Sequence, residues 1–358
     1  MEINFKAKTK LINDMKWFKF ITCGILLVFA SCTKNQSITY PDFDYTTVYF
    51  ASQYPIRTIE LGEDLNVDNT LDNKHKINIE ATIGGTRANK NQVLVDYTVV
   101  DTLCNNFYFE KNGSEILPMP SSYYKLVSKQ ISIAPGNILG GVQVEFTDAF
   151  FADPLAIKNT YAIPLVLTKA MGVDSILRGN SPLESPDRRN GSEWTIPPKD
   201  YVLYMVKYVN PWNGHYLRRG KDVITYAGDA QTTELIRHQT YVEKDEVNNL
   251  TTKSLSEADF PVTFKDKNGS NVTIDLILKF DDQNNCTISS ATTGVTASGT
   301  GTFVKKGDKN SWGNSDRDVL YLNYDVSMAQ LSAQTLDTLV VRDRGVSPEY
   351  YNPIISYN

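Results

Sequence analysis

Apolar and polar residues alternate along most of the chain. Val93, Val95, Tyr97 and Val99 form one row against Leu94, Asp96, Thr98 and Val100, and Val142, Val144 and Phe146 alternate with Gln143, Glu145 and Thr147. The same two-residue period sets Val272, Ile274, Leu276, Leu278 and Phe280 against Thr273, Asp275 and Lys279. It recurs in Leu320, Leu322, Tyr324 and Val326 against Tyr321, Asn323 and Asp325. Side chains on a strand point to opposite faces in turn, so one row of each pair faces a core and the other faces water. Turn residues punctuate the runs at Gly84–Gly85, Pro135–Gly136–Asn137, Asn268–Gly269, Gly299–Thr300–Gly301 and Gly313–Asn314. Lys267–Asn268–Gly269–Ser270, between two alternating runs, predicts a tight hairpin. Sustained helical periodicity is absent; only 149–158 and 327–334 could form a few helical turns. Many short strands with regular turns predict an all-β protein.

Residues 178–199 are rich in Gly, Asn, Ser, Pro and Asp and carry no apolar period. A loop of that length is uncommon inside a compact domain and is usually functional or a linker. One more strand follows, with Val202, Tyr204, Val206 and Tyr208 alternating against Leu203 and Met205, and Pro211 stops it. The boundary therefore falls near Pro211. Residues 38–210 hold some seven or eight strands, the number expected of an immunoglobulin-like β-sandwich. Residues 211–358 hold eight or nine, mostly in sequential hairpins. A closed, lipocalin-like antiparallel β-barrel is expected there, because closure removes exposed sheet edges.

The N-terminal segment departs from this pattern. Lys16 and Lys19 precede an apolar run that ends in Phe29–Ala30–Ser31–Cys32, followed at once by the polar Thr33–Lys34–Asn35–Gln36–Ser37. A charged start, a short apolar stretch and small residues at the cut define a secretory signal. The run is too short for the ~20 residues that span a bilayer. Its end resembles a bacterial lipobox, which implies a signal peptide over 1–31, a lipid on Cys32 and a linker over 32–37. Met15 alone would begin a signal of normal length, so residues 1–14 read as an upstream extension. Removing 1–31 takes five lysines and two acids from 36 basic and 41 acidic side chains, leaving 31 against 39, a formal net charge of −8. No basic stripe remains, which argues against a nucleic-acid partner. Attachment to a membrane would come from the lipid and not from a helix. Cys104 and Cys286 remain, in different predicted domains, and are expected to be isolated buried thiols.

The first domain carries Tyr49–Phe50–Ala51, Arg57–Thr58–Ile59–Glu60–Leu61, Ile83–Gly84–Gly85–Thr86–Arg87–Ala88–Asn89, Ile131–Ser132–Ile133–Ala134–Pro135–Gly136 and Tyr161–Ala162–Ile163–Pro164–Leu165. In these it resembles the immunoglobulin-like domain of unknown function at the N-terminus of many Bacteroidetes-type surface lipoproteins. The second opens with Asn210–Pro211–Trp212–Asn213–Gly214–His215–Tyr216–Leu217–Arg218–Arg219–Gly220 and resembles the β-barrel-like domain that often follows. The resemblance implies glycan capture beside outer-membrane, starch-utilisation-like polysaccharide uptake components, with the protein lipid-anchored in the outer membrane at the cell surface. Its motifs are structural and transfer no catalytic role.

Motifs for catalysis are weak. His75, His215 and His238 have no metal-ligand spacing, and neither a nucleophile elbow nor a phosphate-binding glycine loop is present. Ser122–Tyr123–Tyr124–Lys125 has the S-x-x-K form but precedes a strand and lacks companion motifs. Asp64, Asn66 and Asp68 imitate the opening of a Ca²⁺ loop, yet Asn69 stands at the turn glycine and His75 where a bidentate Glu is required. No catalytic residue, metal or cofactor is assigned.

The aromatics point to a sugar, whose C–H face suits an aromatic ring with a wet, polar border. Trp194 lies in the polar loop, Trp312 at a hairpin tip, and Tyr350 and Tyr351 near the C-terminus; these four are the candidate glycan contacts. Trp212 and Tyr216, at the entry to the second domain, are candidate packing residues between domains. Three classes remain open: a non-catalytic glycan-binding lipoprotein, a structural or adhesive protein-interaction module, and a glycoside hydrolase.

Overall fold

A computed structural model describes residues 43–356, and the chain from Asp44 onward is one compact unit. The signal segment 1–31, the lipidation residue Cys32 and the linker 32–37 lie outside the described residues. The strands before Pro211 are β1 Thr47–Tyr49, β2 Pro55–Glu60, β3 Lys76–Gly84, β4 Val93–Val99, β5 Phe107–Tyr108, β6 Leu117–Pro118, β7 Tyr124–Leu126, β8 Gln130–Ile133, β9 Leu139–Phe146, β10 Tyr161–Met171, β11 Ser175–Ile176 and β12 Tyr201–Val209. Several are only two or three residues long, which is why the sequence periodicity counted fewer.

These strands form a sandwich. One layer runs β11–β1–β3–β9, with β7 beside β9, and the other runs β8–β4–β10–β12–β2. They meet at a corner where β8 touches β9 through the single pair Ser132 and Gly141. Ile77, Ile79, Ala81, Val142 and Val144 of the first layer share one core with Val93, Val95, Ile163, Leu165, Val202 and Val206 of the second. A short helix, α1 (Asp148–Ala152), adds Phe150 and Phe151 to that core. Seven consecutive residues of β10, Tyr161 to Leu167, are buried. Strands covered on both faces read as continuous apolar runs. The second face of β10 and β12 presents Ala162, Val166, Leu203 and Met205 to Cys104, Phe107, Ile116 and Tyr351. The polar stretch 178–199 is pinned to the sandwich: Arg189 donates to the carbonyls of Leu103 and Asn105, and Arg188 pairs with the buried Asp200.

The second half contributes β13 Gly214–Tyr226, β14 Thr232–Arg237, β15 Glu246–Thr252, β16 Glu257–Lys265, β17 Asn271–Phe280, β18 Asn285–Ser290, β19 Thr296–Asp308, β20 Arg317–Ser327 and β21 Leu331–Asp343. The order β13–β15–β16–β17–β18–β19–β20–β21 returns to β13, closing an eight-stranded antiparallel barrel, with β14 as a flap on β13. The predicted hairpin is present: Gly269 takes a φ of 83°, and Lys265 pairs with Asn271. Residues 327–334 are a hairpin and not a helical turn, because Ser327 pairs with Ser332 and Met328 N–H donates to Leu331 O. At 149–158 the helix is confined to α1.

The barrel interior is apolar at both ends and ionic in the middle. Phe260, Leu276, Leu278, Leu320, Leu322 and Tyr324 fill it. Among them Asp337 accepts from Arg218 (3.0 Å), Arg237 (2.8 Å) and the Tyr324 hydroxyl (2.9 Å), while Asp222 accepts from Arg237 and Thr335. Burial opposes the charged form of Arg218, and the Asp337 carboxylate more than offsets this, so the guanidinium is held above its ordinary value. Burial, then the Asp337 charge, pushes the Tyr324 phenol well up.

The last residues leave the barrel. β22 (Glu349–Tyr350) pairs with β2, and β23 (Ile354–Ile355) pairs with β5, so the C-terminal end of 211–358 packs on the sandwich. At the seam Arg344 donates to the carbonyls of Leu61, Glu63, Asn210 and Asn213. Pro211 is packed so closely on Gly62 that a Cβ there would lie 3.0 Å from it.

Candidate functional site

The outward row of β19, β20 and β21 forms an unusual face. Thr296, Ser298, Thr300 and Thr302 stand on β19, Tyr321, Asn323, Asp325 and Ser327 on β20, and Ser332, Gln334, Leu336 and Thr338 on β21. The register places them in four rungs: Thr302–Tyr321–Thr338, Thr300–Asn323–Leu336, Ser298–Asp325–Gln334 and Thr296–Ser327–Ser332. Nearly every member is a short hydroxyl, amide or carboxylate side chain. Tyr321 is 44% exposed and Leu336 53%, and they sit on adjacent rungs at one end. This is the reverse side of the alternation that buries Leu320, Leu322, Tyr324 and Val326 in the barrel.

Two hollows indent this face. One, of about 650 Å³, is lined at the Tyr321 end by Asn285, Thr287, Thr300, Thr302, Asn323 and Leu336. The other, of about 520 Å³, lies at the far end among Thr225, Ser298, Asp325, Ser327 and Gln334. Glycines on the inner row of β19 shape the wall. A Cβ on Gly301 would lie 2.4 Å from Leu322 Cδ2 and 2.8 Å from Cys286 Sγ, and one on Gly299 2.4 Å from Tyr324 Cβ. β19 can therefore press inward toward the core only because those positions lack side chains. Thr302 Oγ1 donates to Asn285 Oδ1 at 3.1 Å, fixing one rim. Burial pushes the Cys286 thiol up to about 12, so it is a packing residue.

The tryptophans are placed differently from the aromatic platforms expected of them. Trp312 folds back over the outward residues Leu217, Val319 and Val340, and its Nε1 donates to Val341 O. The Arg317 guanidinium sits 3.8 Å from its ring centroid. Its covered rung, Val319–Val340, adjoins the Tyr321–Thr338 rung, so Trp312 closes one end of the polar face. Trp194 is half-buried and donates from Nε1 to Asp187 O in its own loop. Tyr351 is 8% exposed, donates its hydroxyl to Leu203 O and packs on Tyr54 and Phe109. Tyr350 is 70% exposed, on β22. Trp212 stacks on Phe280 at 3.9 Å inside the barrel core, and Tyr216 donates to Trp212 O. Both pack within the barrel, and the contact between halves is carried beside them by Asn210, Pro211 and Arg344. The structure does not gather Trp194, Trp312 and the tyrosine pair into one site, and within the pair Tyr350 is exposed while Tyr351 is buried.

The other groups considered for chemistry sit in local contacts. His215 Nδ1 lies 2.5 Å from Asp343 Oδ1 on an exposed strand end. Asp64 Oδ1 accepts from the backbone N–H of Asn66 and Val67, an ordinary turn. Among the described residues no cluster of His, Cys, Asp or Glu is arranged to hold a metal ion. A smaller hollow of about 240 Å³ at the seam mixes both charges: Glu63, Asp64, Lys306, Asp318, Arg342 and Asp343.

Residues 211–345 match the model of a domain of unknown function, DUF5627, and residues 43–174 match a model described as an N-terminal domain. A solved structure of a Bacteroides ovatus protein of unknown function is 45% identical, with 88% of this chain and 100% of that one covered and a TM-score of 0.83. The chain belongs to this Bacteroides family. The polar face lies wholly within the family's DUF5627 stretch. Two further Bacteroides structures align more weakly. One is an auxiliary nutrient binding protein of Bacteroides thetaiotaomicron, 13% identical over 80% of this chain and 90% of its own, with a TM-score of 0.37. The other is a candidate carbohydrate binding protein of Bacteroides ovatus, 12% identical over 84% and 99%, with a TM-score of 0.27. Those similarities are too low to transfer a site. No curated protein matches the chain.

Tyr321 escaped the reading of the sequence, although its signal was present. An aromatic in the water-facing row of an alternating strand has no core to enter, so it is a stronger pointer to a ligand than a Trp in a loop.

Proposed function

We propose that this is a non-catalytic glycan-binding lipoprotein, anchored through Cys32 at the outer-membrane surface, that holds its ligand on the outer face of β19–β21. One observation carries the reading: a contiguous, hollowed field of hydroxyl and amide side chains beside the exposed Tyr321. A sugar presents an apolar C–H face and a ring of hydroxyls, and an aromatic with adjacent donors and acceptors matches both. The face is shallow and open to water, and Asp337, the buried acid that reaches the Tyr321-end hollow, is already tied to Arg218, Arg237 and Tyr324, which suits binding better than hydrolysis. The Phe29–Ala30–Ser31–Cys32 ending supports the lipid anchor.

A glycan array probed with residues 37–358 tests the class, and titration calorimetry tests the place. Stacking on an aromatic is worth about 1–3 kcal/mol by analogy with base stacking. Tyr321→Ala should therefore weaken binding tenfold or more with the melting temperature unchanged. A silent array, or wild-type affinity in Tyr321→Ala, would overturn the reading. Cys32→Ala should release the protein from membranes into the soluble fraction; unchanged partition would remove the anchor.

One feature favours a protein-interaction role. β14 is a free sheet edge whose Leu235 and Ile236 are exposed, and such an edge can accept another strand.

A further inference from the structure

We infer that the ligand is an uncharged, linear glycan chain about four rings long that lies along β20, with one end on Tyr321 and Leu336 and the other running past Asp325 and Gln334 to Ser327 and Ser332. This rests on the glycan reading of the face.

Charge comes first. The single charged side chain on the polar rungs is Asp325, which repels carboxylates and sulfates, and the Tyr321-end hollow is bordered by one acid, Asp281, and one cation, Lys279. The cations at the margin are already engaged: Lys221 with Glu234 at 2.7 Å, Arg219 with Asp245 at 2.5 Å and Lys279 with Glu257 at 3.4 Å. An anionic polymer would meet a carboxylate beside each of these cations. The acidic chain as a whole disfavours its approach as well.

Length and direction follow from the register. From Tyr321 to Ser327 the strand advances about 20 Å at ~3.4 Å per residue, and three strands span about 10 Å at ~4.8 Å spacing. That footprint is long and narrow, the shape of one chain and not of a branched cluster. Successive rungs are about 7 Å apart, which gives roughly one ring per rung. The two hollows lie at the two ends, so a ligand confined to one leaves the other empty. The ends also differ in chemistry: Tyr321 and Leu336 offer apolar surface, and Asp325 and Gln334 offer hydrogen bonds.

The experiment is calorimetric titration of residues 37–358 with linear malto-, cello-, laminari-, manno- and xylo-oligosaccharides of two, four and six rings, alongside oligogalacturonates of the same lengths. At least one neutral series should bind, gaining tenfold or more from two rings to four and little from four to six. Gln334→Ala and Asp325→Ala should remove most of that gain and leave the two-ring affinity unchanged, whereas Tyr321→Ala should weaken every length. All three positions are exposed and their melting temperatures should match wild type. Equal affinity for two and six rings, or a preference for oligogalacturonates, would overturn the inference while leaving glycan binding intact. No binding of any series would overturn both.

Discussion

Replacing Arg344 by Met tests what welds the sandwich to the barrel. Arg344 is 6% exposed, and its guanidinium donates to four carbonyls: Asn213 (2.7 Å), Glu63 (3.1 Å), Leu61 (2.9 Å) and Asn210 (2.7 Å). It also lies 3.7 Å from the carboxylate of Glu60, itself buried. Met keeps most of the aliphatic stem, so the loss is polar. Each hydrogen bond from a charged donor contributes about 1.5–3 kcal/mol, and leaving one partner of a buried ion pair alone costs about 3–5 kcal/mol. These overlap because they share one side chain, and Glu60 has an escape. Burial already raises its carboxyl above the ordinary value, with Arg344 pulling the other way. Without Arg344 it rises further and takes up a proton, which caps the cost. The expected loss is about 4 kcal/mol, a large share of the 5–15 kcal/mol typical of native proteins. The pH dependence has a definite sign. A carboxyl whose folded pKa exceeds its unfolded value binds its proton more tightly when folded, so stability is greatest below the unfolded value and falls as pH rises through the folded one. Arg344→Met should therefore lose more stability at pH 8 than at pH 5, and adding Glu60→Gln should recover part of the loss at pH 8. Urea unfolding followed by circular dichroism at both pH values is the assay. A loss under 1 kcal/mol, or one independent of pH, would refute this account of the seam.

Three further outcomes are expected. Tyr351→Ala should cost about 3–5 kcal/mol, as for a buried aromatic, whereas Tyr350→Ala should stay within ±0.5 kcal/mol; chemical denaturation of the two neighbours checks both. Asp337→Ala should destabilise by about 3–5 kcal/mol, because Arg218 and Arg237 would lose their shared carboxylate inside the barrel, and urea titration would expose a smaller effect. Gly301→Val should destabilise by about 1–3 kcal/mol through overpacking against Leu322 and Cys286. A stable Gly301→Val protein, measured by thermal melting, would contradict the close approach of β19 to the barrel core.

The legible parts of the fold were those written in local periodicity. The row Leu320, Leu322, Tyr324, Val326 gave strand, inward face and outward face together, and sequential hairpins gave the closed barrel. The exceptions were segments whose partners lie far away in sequence. β22 and β23 cross back to β2 and β5, hundreds of positions earlier, and no local pattern announces it; Tyr351 thus looked like a surface aromatic and is core. Trp312 looked exposed because its neighbours are polar, yet Arg317 and Val341 cover and hold it. Residues 327–334 show helix-like spacing, but pairing across the turn outweighs so weak a local preference. The ionic cluster within the barrel was hidden for the same reason: Arg218, Arg237 and Asp337 meet only when β13, β14 and β21 are laid side by side. Of the polar face only the β20 row, Tyr321, Asn323 and Asp325, was legible as alternation; the rows of β19 and β21, and the surface the three make together, emerge only from the register.

The most direct test of the account is a crystal structure of residues 37–358 soaked with the tightest-binding neutral oligosaccharide. Density for a chain along β20, with one ring against Tyr321 and the other end near Gln334, is the predicted result. A ligand seated in the seam beside Lys306 and Arg342, or against the loop of Trp194, would contradict it.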